Sequence, residues 1–285
     1  MKVLALTSVL LAGLLGGGTA AADWVPKPSD RWQYQLQPNA TGPGTVGGIR
    51  MDLCAVPYTG GACVKPNVYD IDLYGPDQVT PNKAAVAAIH AAGGHAICYV
   101  SAGSWEDWRP DKNAFRASVK GNNLDNWPGE KWLDIRKRDV LLPIMKARVA
   151  KCAQAGFDSV EFDNVDAFQN DNTGFPLTAA HQLAYNKALA GLAHSHGLSA
   201  GLKNDLDQVS TLVKSFDYAV NESCQAWNEC EVLNTFLKAG KPVFQIEYTD
   251  EGTTAHTTCP PANKAARSTI LKTLPLTATP WTPCR

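Results

Sequence analysis

The chain repeats one pattern along most of its length. A short apolar stretch turns acidic or amidic at its last residues, and a segment of helical periodicity closed by glycine comes next. The clearest instance runs from Gly156 to Asp166. Ala155 and Gly156 end a helix, glycine being the residue that tolerates a left-handed C-cap, and Phe157-Asp158-Ser159-Val160-Glu161-Phe162-Asp163 follows as a strand. Strand side chains alternate, so Val160 and Phe162 share one side while Glu161 and Asp163 share the other. Carboxylates on a buried face are costly unless paired or hydrogen-bonded. A single one is ordinarily a solvated strand end or half of a structural ion pair; here strand after strand ends the same way.

The same reading predicts strands at 32–37, 68–73, 96–103, 198–205, 216–222 and 242–249, with a weaker one around 270–276. Helices are expected at 81–92, 139–154, 177–196, 208–215 and 229–239, where Ala and Leu recur at helical spacing and glycines mark several ends. Residues 38–66 read as an irregular stretch stapled by Cys54 and Cys63, and 109–138 as a long loop with short helical pieces. Near-continuous apolar strands alternating with helices suit a parallel sheet covered by helices. The predicted fold is α/β, a single (β/α)8 barrel. An open doubly wound sheet is the other arrangement, but no GxGxxG or Walker motif supports a nucleotide site.

Composition adds a compartment. Lys2, the apolar run Val3 to Leu15 and Ala20-Ala21-Ala22 read as a signal peptide over 1–22, leaving 23–285 as the barrel. The run is shorter than the roughly 20 residues a membrane span needs, so a secreted, extracellular protein without a membrane partner is expected. There are 26 Lys and Arg against 27 Asp and Glu, so there is no basic excess, which argues against nucleic acid. Eight cysteines in an exported chain suggest disulfides. They allow 105 pairings; proximity favours Cys54–Cys63 and Cys224–Cys230, with Cys259–Cys284 tying the tail and Cys98–Cys152 left over. No CxxC or HExxH pattern suggests a metal, and no cofactor is implied.

In such a barrel the chemistry sits at the C-terminal ends of the strands. The polar residues gathered there are Asp70 and Asp72, Tyr99 and Ser101, Asp163 and Asp166, Lys203 and Asp205, Asn221 and Glu222, and Gln245 and Glu247. Paired carboxyl groups suit glycoside hydrolysis, in which one protonates the leaving oxygen and the other attacks or activates water. Trp105, Trp108 and Trp127 lie in loops where sugars would stack, although any one of them taken singly is more often a packing residue. No GxSxG elbow supports a serine hydrolase. Lys203, among so many acids, is expected to stay charged as an ion-pair partner of Asp205 or another carboxylate. His194 and His196, at a helix end, read as solvated C-terminal cations.

The acidic strand is similar to the DxxDxDxE strand of family 18 chitinases, but Val165 stands where their catalytic Glu belongs. A closer resemblance covers nearly the whole mature chain. Trp32-Gln33-Tyr34-Gln35-Leu36, Tyr69-Asp70-Ile71-Asp72, Cys98 to Gly103, Gly156 to Asp166, Ala219-Val220-Asn221-Glu222 and Gln245-Ile246-Glu247-Tyr248 together resemble glycoside hydrolase family 114. That resemblance implies a (β/α)8 barrel and an endo-acting α-1,4-polygalactosaminidase. It implies Asp163 as nucleophile or base and Glu222 as general acid. Gln35, Asp70, Asp72, Tyr99, Ser101, Trp105, Asp166, Lys203, Asp205, Asn221 and Glu247 are the expected substrate-binding residues. The partner would be a cationic, partly deacetylated galactosamine polymer such as galactosaminogalactan, which an acid-lined cleft attracts, and a monomer is expected. Two alternatives stay open: a barrel hydrolase of another α-glycan, and a non-catalytic sugar-binding barrel.

Overall fold

The structure, a computed structural model, describes Ala22 and residues 24–285; the expected leader falls almost wholly outside them. The strands are β1 (Trp32–Gln35), β2 (Val68–Asp72), β3 (His95–Ser101), β4 (Ser159–Asp163), β5 (Ser199–Lys203), β6 (Tyr218–Glu222), β7 (Val243–Tyr248) and β8 (Ser268–Lys272). They lie side by side in chain order and run parallel throughout. Helices fill most of the connections: α1 (Lys83–Ala91), α2 (Arg138–Ala155) and α3 (Ala179–His194), and beyond β7 α4 (Ala255–Lys264). The chain is a β/α barrel, as its pattern predicts.

Alternation along the strands splits the molecule into two cores. One residue in two faces the barrel axis, where Trp32, Tyr34, Ile97, Tyr218, Phe244 and Ile270 form one buried cluster. The intervening residues, among them Ile71, Val160, Phe162 and Leu202, pack against Met145 and Val149 of α2 and Leu189 of α3. Each such apolar side chain contributes roughly 1.5–3 kcal/mol on burial, which holds the helices to the sheet. Gly201 faces inward, and a Cβ there would sit 2.5 Å from the Tyr218 ring. Its absence lets the Tyr218 hydroxyl reach Ser159 Oγ at 2.7 Å.

Side chains close the barrel between β8 and β1. The Trp32 indole donates to the Ser268 carbonyl at 2.9 Å, Ser268 Oγ donates to the Asp30 carbonyl at 2.7 Å, and Lys272 Nζ donates to Gln33 Oε1 at 3.0 Å. Thr282–Pro283 runs antiparallel along β8, and the Trp281 indole donates to the Trp32 carbonyl. All four disulfides have the expected pairing: Cys54–Cys63, Cys98–Cys152, Cys224–Cys230 and Cys259–Cys284. No helix among the described residues is long and apolar enough to cross a membrane.

Several segments differ from expectation. Residues 109–138 are not simply loop: Ser104–Glu106, Lys120–Asn123 and Glu130–Leu133 form a three-stranded antiparallel ribbon. Its strands are short and carry charge, so no apolar run betrays them. The expected helix at 229–239 is a 3₁₀ turn followed by one short helical piece, Asn234–Lys238. The helix α4 had no counterpart in the sequence reading, because Pro260 and Pro261 fall inside it and proline ordinarily breaks helices. It is held by the Thr254 N-cap and by Cys259 and Asn263, which bond to Cys284.

Candidate active site

Strands β4, β5 and β6 end on Asp163, Lys203 and Glu222, and the next residue of each is left-handed: Asn164 (φ 59°), Asn204 (φ 49°) and Ser223 (φ 60°). Asparagine tolerates that region better than most residues. The sharp turn stops each strand at once, leaving its last side chain at the mouth of the barrel. Asn164 also needs Gly103 beside it, where a Cβ would fall 1.6 Å from the Asn164 carbonyl oxygen.

Lys203 is the hub. Its Nζ lies 3.2 Å from Asp163 Oδ1, 3.1 Å from Glu222 Oε2 and 3.4 Å from Glu161 Oε1, and it donates to the Tyr34 hydroxyl at 3.2 Å. Burial would drive the ammonium neutral, but the charges of Asp163, Glu222 and Glu161 outweigh it and hold Lys203 protonated well above its usual range. Burial likewise pushes Asp163 up. The Lys203 charge, the Tyr99 hydroxyl at 2.7 Å and the Asn164 N–H overcome that push and hold the carboxyl below its usual range. Tyr248 donates to Glu222 Oε1.

These groups open into a cavity of about 770 Å³. Of the sequence-predicted residues, Asp72, Tyr99, Asp163, Asp166, Lys203 and Glu222 line it. Asp72 is neutralised there by a two-pronged ion pair from Arg109, at 2.8 and 2.7 Å, and Arg109 also binds Glu106 at 2.7 Å. Burial and the nearby charge of Asp163 push Asp166 up to about 6. Trp108 and Trp127 stand at the rim, both partly exposed.

The other expected residues lie away from the cavity lining. Asp70 is sealed inside the barrel. Gln35 faces outward and donates to the Gly48 carbonyl at 2.8 Å. Ser101 is buried between Ser104 and Asn164, and Asn221 donates to Asn204. Trp105 donates to the Lys112 carbonyl, with the Lys120 ammonium over its ring. Glu247 belongs to the outward parity of β7, whose inward residues are Phe244, Ile246 and Tyr248. It accepts from Gln245 and from the backbone N–H groups of Gln225 and Ala226. Asp205 is not the partner of Lys203: β5 ends at Lys203, so strand alternation no longer aligns the two, and Asp205 accepts from Asn186 at 2.8 Å. His194 is bonded to Asp217 at 2.8 Å.

Sequence reasoning missed several groups. Tyr34 and Tyr248 sit at inward parity within motifs already picked out, a signal that parity counting would have caught. Glu130 lines the cavity from the ribbon, accepts from Ser104 at 2.5 Å, and burial pushes it up to about 7. Nothing in its local sequence marks it.

The family model of glycoside hydrolase family GH114 matches residues 17–284. This chain belongs to glycoside hydrolase family 114. It is therefore a glycosidase, an O-glycosyl hydrolase. Among solved structures it is similar to Ega3 of Aspergillus fumigatus, determined in complex with galactosamine, at 36% identity and a TM-score of 0.77, covering 92% of this chain and 98% of that one. The glycoside hydrolase domain of PelA from Pseudomonas aeruginosa shares the fold at 14% identity and a TM-score of 0.57, over 76% of this chain and 91% of that one. An uncharacterised protein of Deinococcus radiodurans is 26% identical over 276 residues, 85% of this chain and 88% of its own.

Proposed function

We propose that this family 114 hydrolase is a secreted endo-glycosidase that cleaves α-1,4-linked galactosamine polymers, with Asp163 as nucleophile and Glu222 as general acid and base. The observation that carries the proposal is the pair of carboxylates held on either side of one ammonium at the cavity floor. The likeness to Ega3, a protein crystallised with galactosamine, supports the substrate class. Four disulfides support export.

The two carboxylates differ in what surrounds them. Asp163 receives donors on both oxygens and is stabilised as an anion, which suits attack on the anomeric carbon. Glu222, the more exposed of the two, is placed to protonate the departing glycosidic oxygen. Once the glycosyl–Asp163 ester has formed, Glu222 takes a proton from water, whose oxygen attacks the same carbon and releases Asp163. A double displacement through Asp163 retains the anomeric configuration, so the α-anomer is the expected first product by NMR.

Mass spectrometry of products from partly deacetylated galactosaminogalactan, with starch and chitosan as controls, tests the assignment. Galactosamine-containing oligomers from the first substrate alone are expected. Cleavage of starch instead would move the enzyme to another α-glycan.

A further inference from the structure

Beneath Lys203, Asp70 from β2 and Glu161 from β4 are fully buried. Both oxygens of Asp70 and Glu161 Oε2 have no hydrogen-bond partner among the described residues. A buried carboxyl that meets no donor is costly unless it carries a proton. Glu161 Oε1 accepts from the Tyr34 hydroxyl at 3.1 Å and lies 3.4 Å from Lys203 Nζ. Asp70 makes no ion pair among the described residues.

We infer that Asp70 and Glu161 share one proton, resident on Asp70, and that the charged Glu161 thereby positions Lys203 between Asp163 and Glu222. The ionisable groups facing the pair are Tyr34 from β1, Asp163 from β4, Lys203 from β5, and Tyr218 and Glu222 from β6. Burial and the charge of Glu161 push Asp70 well above the usual carboxyl range, while Lys203 opposes this only partly. Neither acid lines the cavity. Both are positioning residues, acting on the reaction through Lys203, and Asp70 is reassigned from substrate contact to proton storage. The role rests on the proposed chemistry of Asp163 and Glu222; the shared proton does not.

The amide of Asp70→Asn donates as the acid does and never ionises, so the charge around Lys203 stays unchanged. The limbs of its kcat/KM–pH profile are expected where the wild type has them. Glu161→Gln removes a negative charge near the two catalytic carboxyls, and both limbs should move to lower pH. Asp70→Ala takes away a buried partner, for which kcat should fall about tenfold, with restoration toward wild type in Asp70→Asn. Limbs that shift downward in Asp70→Asn, or stay fixed in Glu161→Gln, would overturn the inference.

Infrared spectroscopy of the whole protein gives a readout that needs no activity. At pH 9, above the values near 7 and 8 to which burial raises Glu130 and Asp205, a protonated carboxyl band from isotope-labelled aspartate should remain. It should vanish in Asp70→Asn. Its absence in the wild type would overturn the shared proton even if the variant failed to fold. A wild type that keeps the band but cleaves no galactosamine polymer would count against the proposed function and leave the proton in place.

Discussion

Asp163 accepts from Tyr99 and Lys203, and Glu222 accepts from Tyr248, so an amide at either position keeps shape while removing chemistry. Asp163→Asn and Glu222→Gln should each lower kcat by about 10²–10⁴-fold. Circular dichroism and a melting curve check that the fold survives; a variant with most of its activity left would remove that residue from the mechanism. At Asp205 the same replacement should raise stability. Burial, together with the charge of Asp166, pushes this carboxyl up to about 8. A raised carboxyl contributes stability fully below its unfolded value of about 3.9 and loses it as pH rises through the folded one. The Tm of Asp205→Asn relative to wild type should therefore be higher at pH 8 than at pH 5. Residue by residue, the acids at strand ends were legible because alternation and apolar flanks exposed them. Glu130 was not, since its role comes from a ribbon that places it against Ser104 across 26 residues of chain.

Between elements, the disulfides differ in reach. Cys98–Cys152 spans 54 residues and ties β3 to α2, while Cys224–Cys230 spans 6 within one loop. Loop-closure entropy assigns about 4 kcal/mol to the first and about 2 kcal/mol to the second. Calorimetry on the paired variants Cys98→Ala/Cys152→Ala and Cys224→Ala/Cys230→Ala should show the larger drop in Tm for the first pair. An equal drop would mean that the entropy of the unfolded chain does not set the ranking. The parallel strands were legible as elements because each carries enough apolar residues to fill two cores. The ribbon and the proline-bearing helix α4 were not, for they are held by long-range contacts such as Glu106 with Arg148 and Asn263 with Cys284, which local propensity does not record.

For the molecule as a whole, the charge around the cavity is simpler than a count of strand-end acids suggests. Arg109 cancels Asp72 and, with Arg148, pairs with Glu106, while Asp70, Asp205 and Glu247 face elsewhere, leaving Asp125, Glu130, Asp163, Asp166 and Glu222 around the single ammonium of Lys203. The cavity still carries an acidic excess, which would draw in a cationic polymer over a Debye length of about 10 Å at 0.1 M salt. At low substrate, kcat/KM on partly deacetylated polymer should fall with added salt and exceed that on the fully acetylated form. Equal values without salt dependence would retain the glycosidase and reject the cationic substrate.

The seam between β8 and β1 also sets an order of events in time. Trp32 lies on the first strand, yet its indole donor is satisfied by Ser268 and its carbonyl by Trp281. Until residues 268–284 are in place, the inner core lacks one wall and Trp32 lacks both of these partners. The barrel therefore cannot close from its leading end alone.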